Sequence, residues 1–243
     1  MNQTSSKQRS KAELNHAKAV HEMFSGIAGK YDILNHFLSA NIDKRWRRMV
    51  VNKLSSTLKR DDAYVLDVAC GTGDLSVELK NGGSATVIGT DFCRPMLEIA
   101  TSKNSEFNEI EYLEADGMNL CFANESFDAV TIAFGLRNFS NWEAGLKELR
   151  RILKPEGEIC VLEFSSPVVP GFKQAFNFYF ANVLPRIGGV VSGSRGAYEY
   201  LPNSVSRFPN QEGLAEMMRQ IGFCDVKYTN LTGGIAAIHT GKR

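Results

Sequence analysis

Five short apolar runs, YVLDVA, ATVIGTD, IEYLEAD, FDAVTIAF and EICVLEF, follow one another from residue 64 onward, with segments of helical period between them. Those segments are DLSVELK, RPMLEIATSK and NWEAGLKELRRILK. Strands separated by helices need crossovers, and the stable way to bury both is a parallel sheet with helices on its two faces. In the longest segment Trp142, Leu146, Leu149 and Leu153 share a helical face, and the helix is expected to end at Lys154-Pro155 with Gly157 close behind. The carboxyl-terminal part departs from this rhythm. Leu214, Met217, Met218 and Ile221 form a helical stripe stopped by Gly222, and FCDVKYTNL and GIAAIHTG flank Thr232-Gly233-Gly234 as a hairpin. The expected architecture is therefore α/β, a parallel sheet with one antiparallel strand at its end.

Residues 1–12 are lysine-rich and without periodicity, which predicts a disordered tail; 13–243 read as one domain. Within it a helical stretch covers about 20–58, the core runs from 63 to 243, and an insertion lies near 167–209. The 28 basic and 27 acidic residues leave a net charge of +1, too little to draw nucleic acid, so no nucleic-acid partner is expected. Cys70, Cys93, Cys121, Cys160 and Cys224 are scattered and never spaced as CxxC, a pattern that suits free thiols in a reducing cytoplasm. The chain opens without a signal-like apolar stretch, and no run approaches the roughly 18 apolar residues of a membrane span. The four histidines, His16, His21, His36 and His239, show no ligand spacing, so no metal is expected.

The turn leaving the first strand reads DVACGTGD, residues 67–74. A phosphate loop would need GxxxxGK[ST], which is absent. A dinucleotide loop would need a third glycine where Ser76 stands, and Asp67 and Asp74 would each repel a pyrophosphate by roughly 3 kcal/mol at about 5 Å and an effective dielectric near 20. The turn suits a ligand with positive charge. S-adenosylmethionine is one: it carries a sulfonium and an ammonium and has no phosphate, and Gly71 and Gly73 allow close backbone approach. The plainer alternative is a structural turn with Asp74 as helix cap. Asp91 closes the second strand, placed to accept from ribose hydroxyls, and Asp116 follows the third, placed to accept from an adenine amine. Alone, Asp116-Gly117 would read as a turn.

Beyond the glycine turn, YDILNHFLSANIDKRWRR, FGLRNF, RRILKPEGEICVLEFSSP and YEYLPNSVSRFP resemble the signatures of the ubiquinone/menaquinone biosynthesis C-methyltransferases, from about Phe24 to the end. That resemblance implies a class I S-adenosylmethionine-dependent methyltransferase fold: a Rossmann-like seven-stranded sheet with an antiparallel last strand and an N-terminal helical lid. It implies carbon methylation of a polyprenylated quinol, with Thr72, Asp91, Asp116, Gly117 and Ala133 at the cofactor beside Asp67, Gly71 and Gly73. Two positions depart from the family pattern. Ala133 stands where serine is frequent and Cys70 where glycine is common.

FGLRNF follows the fourth strand at the edge where open α/β sheets bind ligands, so Arg137 and Asn138 are expected to face the transferable methyl. Arginine stays protonated, so it would stabilise a phenolate or hold a water that takes the proton. Helix capping is the alternative for both residues. Tyr31, Asp32 and Asn35, in the lid, are expected to border the quinol head group. Lys44, Arg45, Arg47 and Arg48 are either a solvated face with Trp46 behind it, a border of the same pocket, or a contact for anionic lipid at about 1 kcal/mol per basic residue. Phe172, Phe176, Tyr179, Phe180, Val183 and Ile187 form a wide apolar stripe within 171–191. It reads as core packing or, with Phe176 and Phe180 as contacts, as a prenyl groove or membrane-resting face. A cytoplasmic protein with peripheral contact at the inner face of the membrane is the expected setting; ring type, chain length and oligomeric state, a homodimer included, stay open. A methyltransferase for a small soluble acceptor and a noncatalytic cofactor-binding subunit are the competing functions. A nicotinamide dehydrogenase is the weakest.

Overall fold

β1 (Tyr64–Val68) alternates as a buried strand should, Leu66 and Val68 packing on one side of the sheet and Val65 on the other. It is the hinge of the architecture. The computed structural model describes residues 9–31, 41–103, 109–169, 174 and 195–243, the side chains of residue 30 and of residues 195–199 excepted. After β1 come α4 (Asp74–Asn81), β2 (Thr86–Asp91), α5 (Arg94–Lys103), β3 (Glu111–Glu114), β4 (Phe127–Ala133), α6 (Trp142–Ile152) and β5 (Leu153–Phe164). Ahead of it lie α1 (Lys11–Ile27), a 3-10 turn at Ala28–Lys30, α2 (Ile42–Lys53) and α3 (Ser55–Leu58). Behind β5 lie α7 (Arg195–Arg207), α8 (Gln211–Ile221), β6 (Cys224–Leu231) and β7 (Ala236–Lys242).

The sheet has seven strands in the order β3-β2-β1-β4-β5-β7-β6. β1 pairs in parallel with both β2 and β4, so the chain turns outward in opposite directions from it and opens a crevice at the strands' carboxyl ends. One face packs Leu66, Val130 and Ile132 against Leu146, Leu149 and Ile152 of α6 and Leu214 and Met218 of α8. The opposite face packs Val65, Val87, Ala129 and Leu162 against Trp46 and Val50 of α2, Leu54 at its end, and Leu75 and Leu79 of α4. The two faces need two periods, and the sequence carries both.

Two boundaries and one strand position differ from the sequence expectation. α1 begins at Lys11, because Ser10 and Glu13 form a reciprocal capping box, so the ordered chain reaches into the expected tail. α6 stops at Ile152, and Leu153 instead pairs with Phe127 at the start of β5. The last strand of the chain is antiparallel as expected, yet it sits inside the sheet: β7 pairs with β5 on one side and β6 on the other, leaving β6 at the edge. Among the described residues no helix is long and apolar enough to cross a membrane.

Candidate active site

The turn after β1 is set by three left-handed residues, Ala69 (φ 53°), Gly71 (φ 57°) and Gly73 (φ 81°). Gly73 is the N-cap of α4, not Asp74. A side chain at Gly71 would meet only the Tyr31 ring, 3.7 Å away, so glycine is required there for its backbone angle. Asp91 ties this turn to the next one, accepting from the Gly71 N–H at 2.9 Å and the Cys93 N–H at 2.8 Å. Burial pushes its carboxyl up to about 6. Asp116 accepts from the Met118 N–H at 2.9 Å and pairs through its other oxygen with Arg9 at 2.5 Å. An adenine amine would share that oxygen with Arg9 or displace it. Gly117 is there for space, since a Cβ would lie 2.4 Å from the Phe139 ring and 3.0 Å from Val68.

These groups surround a cleft of about 760 Å³, open mouth included, within the range of small-molecule sites. Tyr31, Gly71, Asp91, Asp116, Gly117, Ala133 and Asn138 line it together, joined by Phe24 of α1 and by Phe134. Among the described residues Asp67, Thr72, Gly73, Asp74 and Arg137 do not. Asn35, Phe176 and Phe180 fall outside the described residues.

The charge argument from the ends of the turn needs correcting. Asp67 is 1% exposed behind the loop, where it accepts from Ser76 Oγ at 2.7 Å and Thr131 Oγ1 at 2.9 Å. Asp74 is paired with Arg47 at 3.0 Å and with Lys103. Arg47 is itself buried and also holds Asp43 at 2.6 Å, while Lys44, Arg45 and Arg48 stay exposed. Both end carboxylates are thus spent on structure, and the acidic side chains facing the cleft are Asp91 and Asp116. They suit the ribose and adenine of a nucleoside; among the described residues no cluster of His, Cys, Asp or Glu could hold a metal.

Burial also pushes Asp67 up to about 6, from an ordinary 3.8. The folded state therefore favours its protonated form, so this group withdraws stability as pH rises from 3.8 toward about 6, by up to roughly 3 kcal/mol for a shift of this size. In Asp67→Asn the charge is gone. Urea unfolding from about pH 4 to pH 7 should show the variant gaining on the parent by that amount as pH rises; a constant difference would mean that Asp67 does not titrate in this window.

After β4 the chain makes a 3-10 turn, Leu136–Asn138. Arg137 is turned away from the cleft into a buried pair with Glu163, Nη1 to Oε1 at 2.8 Å, and its backbone N–H donates to Glu163 Oε2 at 3.2 Å. Its guanidinium lies 5.3 Å over the Phe164 ring, and Nη1 also donates to the Phe134 carbonyl. Asn138 does face the cleft. Its Nδ2 donates to the Phe134 carbonyl at 3.2 Å, its Oδ1 accepts from the Tyr200 hydroxyl at 3.0 Å, and its carbonyl bonds His16 of α1 at 3.1 Å. The pair expected to act together is divided: one residue at the rim, the other behind it.

The sequence reading passed over Arg9, Phe134, Glu163 and Tyr200. Only Glu163 and Tyr200 left a signal, a carboxylate in an otherwise apolar strand and a tyrosine inside YEYLPNSVSRFP.

The fold by itself does not fix a reaction. A possible histamine N-methyltransferase from Thermotoga maritima shares it at 20% identity (TM-score 0.65, 92% of this chain and 99% of that one). So does the [4+2]-cyclase SpnF at 17% identity (TM-score 0.62, 81% and 80%). Residues 11–243, however, match the ubiE/COQ5 methyltransferase family. The chain belongs to that family. Membership makes it a methyltransferase dependent on S-adenosylmethionine. Among its relatives, the demethylmenaquinone methyltransferase of Thermus thermophilus is 48% identical over 223 residues, 91% of this chain and all of the relative. The ubiquinone/menaquinone biosynthesis C-methyltransferase UbiE of Citrifermentans bemidjiense is 43% identical over 229 residues, 92% and 96%.

Proposed function

We propose that the protein transfers the methyl group of S-adenosylmethionine to a ring carbon of a polyprenylated quinol, demethylmenaquinol or its benzoquinol counterpart. The observation that carries this reading is the 48% identity to a demethylmenaquinone methyltransferase over that relative's whole length. Bound S-adenosylmethionine supplies an electrophilic methyl on a sulfonium.

The chain's own residues supply placement. Asp91 and Asp116 orient the nucleoside, and Gly71 and Gly117 let backbone and aromatic walls come close. Asn138, with its amide fixed by Tyr200 and the Phe134 carbonyl, keeps its second N–H for an acceptor oxygen. A quinol that gives up one hydroxyl proton to solvent would attack through its ring carbon, with S-adenosylhomocysteine as the leaving group, and transfer of that carbon's proton back to the oxygen would restore aromaticity. Holding the ring in line would contribute through orientation, and an N–H at that oxygen would favour the phenolate that attacks. Arg137 contributes from behind, its charge balanced in part by Glu163.

The test uses methyl-labelled cofactor with prenylated naphthoquinols, prenylated benzoquinols and water-soluble phenols, the label being located by mass spectrometry. Label on a ring carbon of a prenylated quinol is the expected result. Label on oxygen, or soluble phenols serving as well as prenylated quinols, would overturn the reading.

A further inference from the structure

Phe134 closes β4 with φ at 56°, in the left-handed region that a side chain enters only at a cost of about 1–2 kcal/mol. A glycine would make this turn without that cost. Something other than the backbone must therefore account for the ring.

The ring is half-buried and lines the cleft beside Ala133 and Asn138. Behind it stand two more aromatic side chains: Phe164 with its centroid 4.7 Å away and tilted by 40°, and Trp46 at 6.1 Å. Trp46 is buried and anchored by its indole N–H to Thr232 Oγ1 at 3.2 Å, so the backing is held from α2 and from the turn before β7 at once. The Phe134 carbonyl accepts from both Arg137 and Asn138. One strained residue thus sets an apolar face and aims the polar groups next to it.

We propose that Phe134 is the platform against which the planar ring of the acceptor lies, backed by Phe164 and Trp46. This rests on the reading that the acceptor is an aromatic quinol. Offset stacking on an aromatic face, with Asn138 at the ring oxygen, would present a ring carbon to the methyl without any new charge in the site.

Phe134→Gly, Phe134→Leu and Phe134→Tyr separate the ring from the backbone. In Phe134→Gly the turn is relaxed and the face is lost, so the acceptor KM should rise about tenfold, the worth of one aromatic contact with its buried area. Calorimetry should find S-adenosylhomocysteine binding within about threefold of the parent, because the acids at β2 and β3 are untouched. Phe134→Tyr should restore the acceptor KM, and Phe134→Leu should fall between; if the glycine variant does not fold, leucine against tyrosine carries the comparison. An unchanged acceptor KM without the aromatic ring, or acceptor and cofactor affinity falling together, would overturn the proposal and leave the ring as packing. The parent enzyme is the control for the underlying reading: if it labels no quinol, the substrate class is wrong. If it labels quinols and the variants do so equally well, only the platform is wrong.

Discussion

Asp91→Ala should abolish methyl transfer and weaken S-adenosylhomocysteine binding by about 100-fold or more in calorimetry. The carboxylate closes two backbone N–H groups, of Gly71 and Cys93, and their exposure to an apolar methyl leaves each unsatisfied at about 1–3 kcal/mol. On the proposed binding mode the substitution also removes the acceptor for two ribose hydroxyls, whose bonds to a charged group would contribute about 1.5–3 kcal/mol each. Losses in the turn and in the ligand would then act together, because the two oxygens that hold the turn are the ones proposed to hold the ribose. Asp91→Asn should fall between parent and alanine, since its one carbonyl oxygen still takes one N–H. Retention of S-adenosylhomocysteine within about threefold in the alanine variant would remove Asp91 from the cofactor site.

Glu163→Ala should be the most destabilising single change near the site. Its carboxylate is wholly buried and accepts from Arg137 twice and from the Phe164 N–H at 2.8 Å. Removing it strands a guanidinium in the interior, which costs about 3–5 kcal/mol and is read from the midpoint of urea unfolding. Arg137→Ala strands the carboxylate in turn, so lost activity in that variant alone does not assign Arg137 to the reaction. The double variant Arg137→Met with Glu163→Gln resolves this. It should recover most of the stability, because the desolvated ion pair is gone while the amide oxygen can still accept from the backbone N–H of position 137 or of Phe164. Methyl transfer that stays lost in this stable background assigns the reaction to the Arg137 charge; methyl transfer that returns removes Arg137 from the chemistry and leaves it as a scaffold. A cost below about 1 kcal/mol for Glu163→Ala would show that the pair is not desolvated as described.

Much of this site is legible in the sequence for a geometric reason. In a parallel sheet every carboxyl-terminal strand end lies on one edge, so Asp91, Asp116, Ala133 and Asn138 converge once the strands are recognised. Partnership is not written in residue type. Asp67 and Asp74 look like a charged gateway in DVACGTGD, but their hydroxyl and cationic partners come from Ser76, Thr131, Arg47 and Lys103, which only the folded chain brings near. Nor is backbone strain, since nothing in FDAVTIAF marks Phe134 as left-handed. Leu153 shows the limit of periodicity: it continues the stripe of Leu146 and Leu149, yet pairing with Phe127 outweighs one more helical turn. Arg9 was hidden because the capping box that orders its neighbourhood sits in a stretch whose composition resembles a tail.

The position of β7 between β5 and β6 has a consequence for how the molecule is made. During synthesis β5 emerges long before its outer neighbour, and β6, although translated first, has no edge to join until β7 arrives. A nascent chain therefore carries an open apolar strand edge, a natural place for a chaperone to hold or for misassembly to start. The indole behind Phe134 gains its anchor at Thr232 only when that hairpin docks. Closing the sheet and fixing the wall behind Phe134 are thus one event.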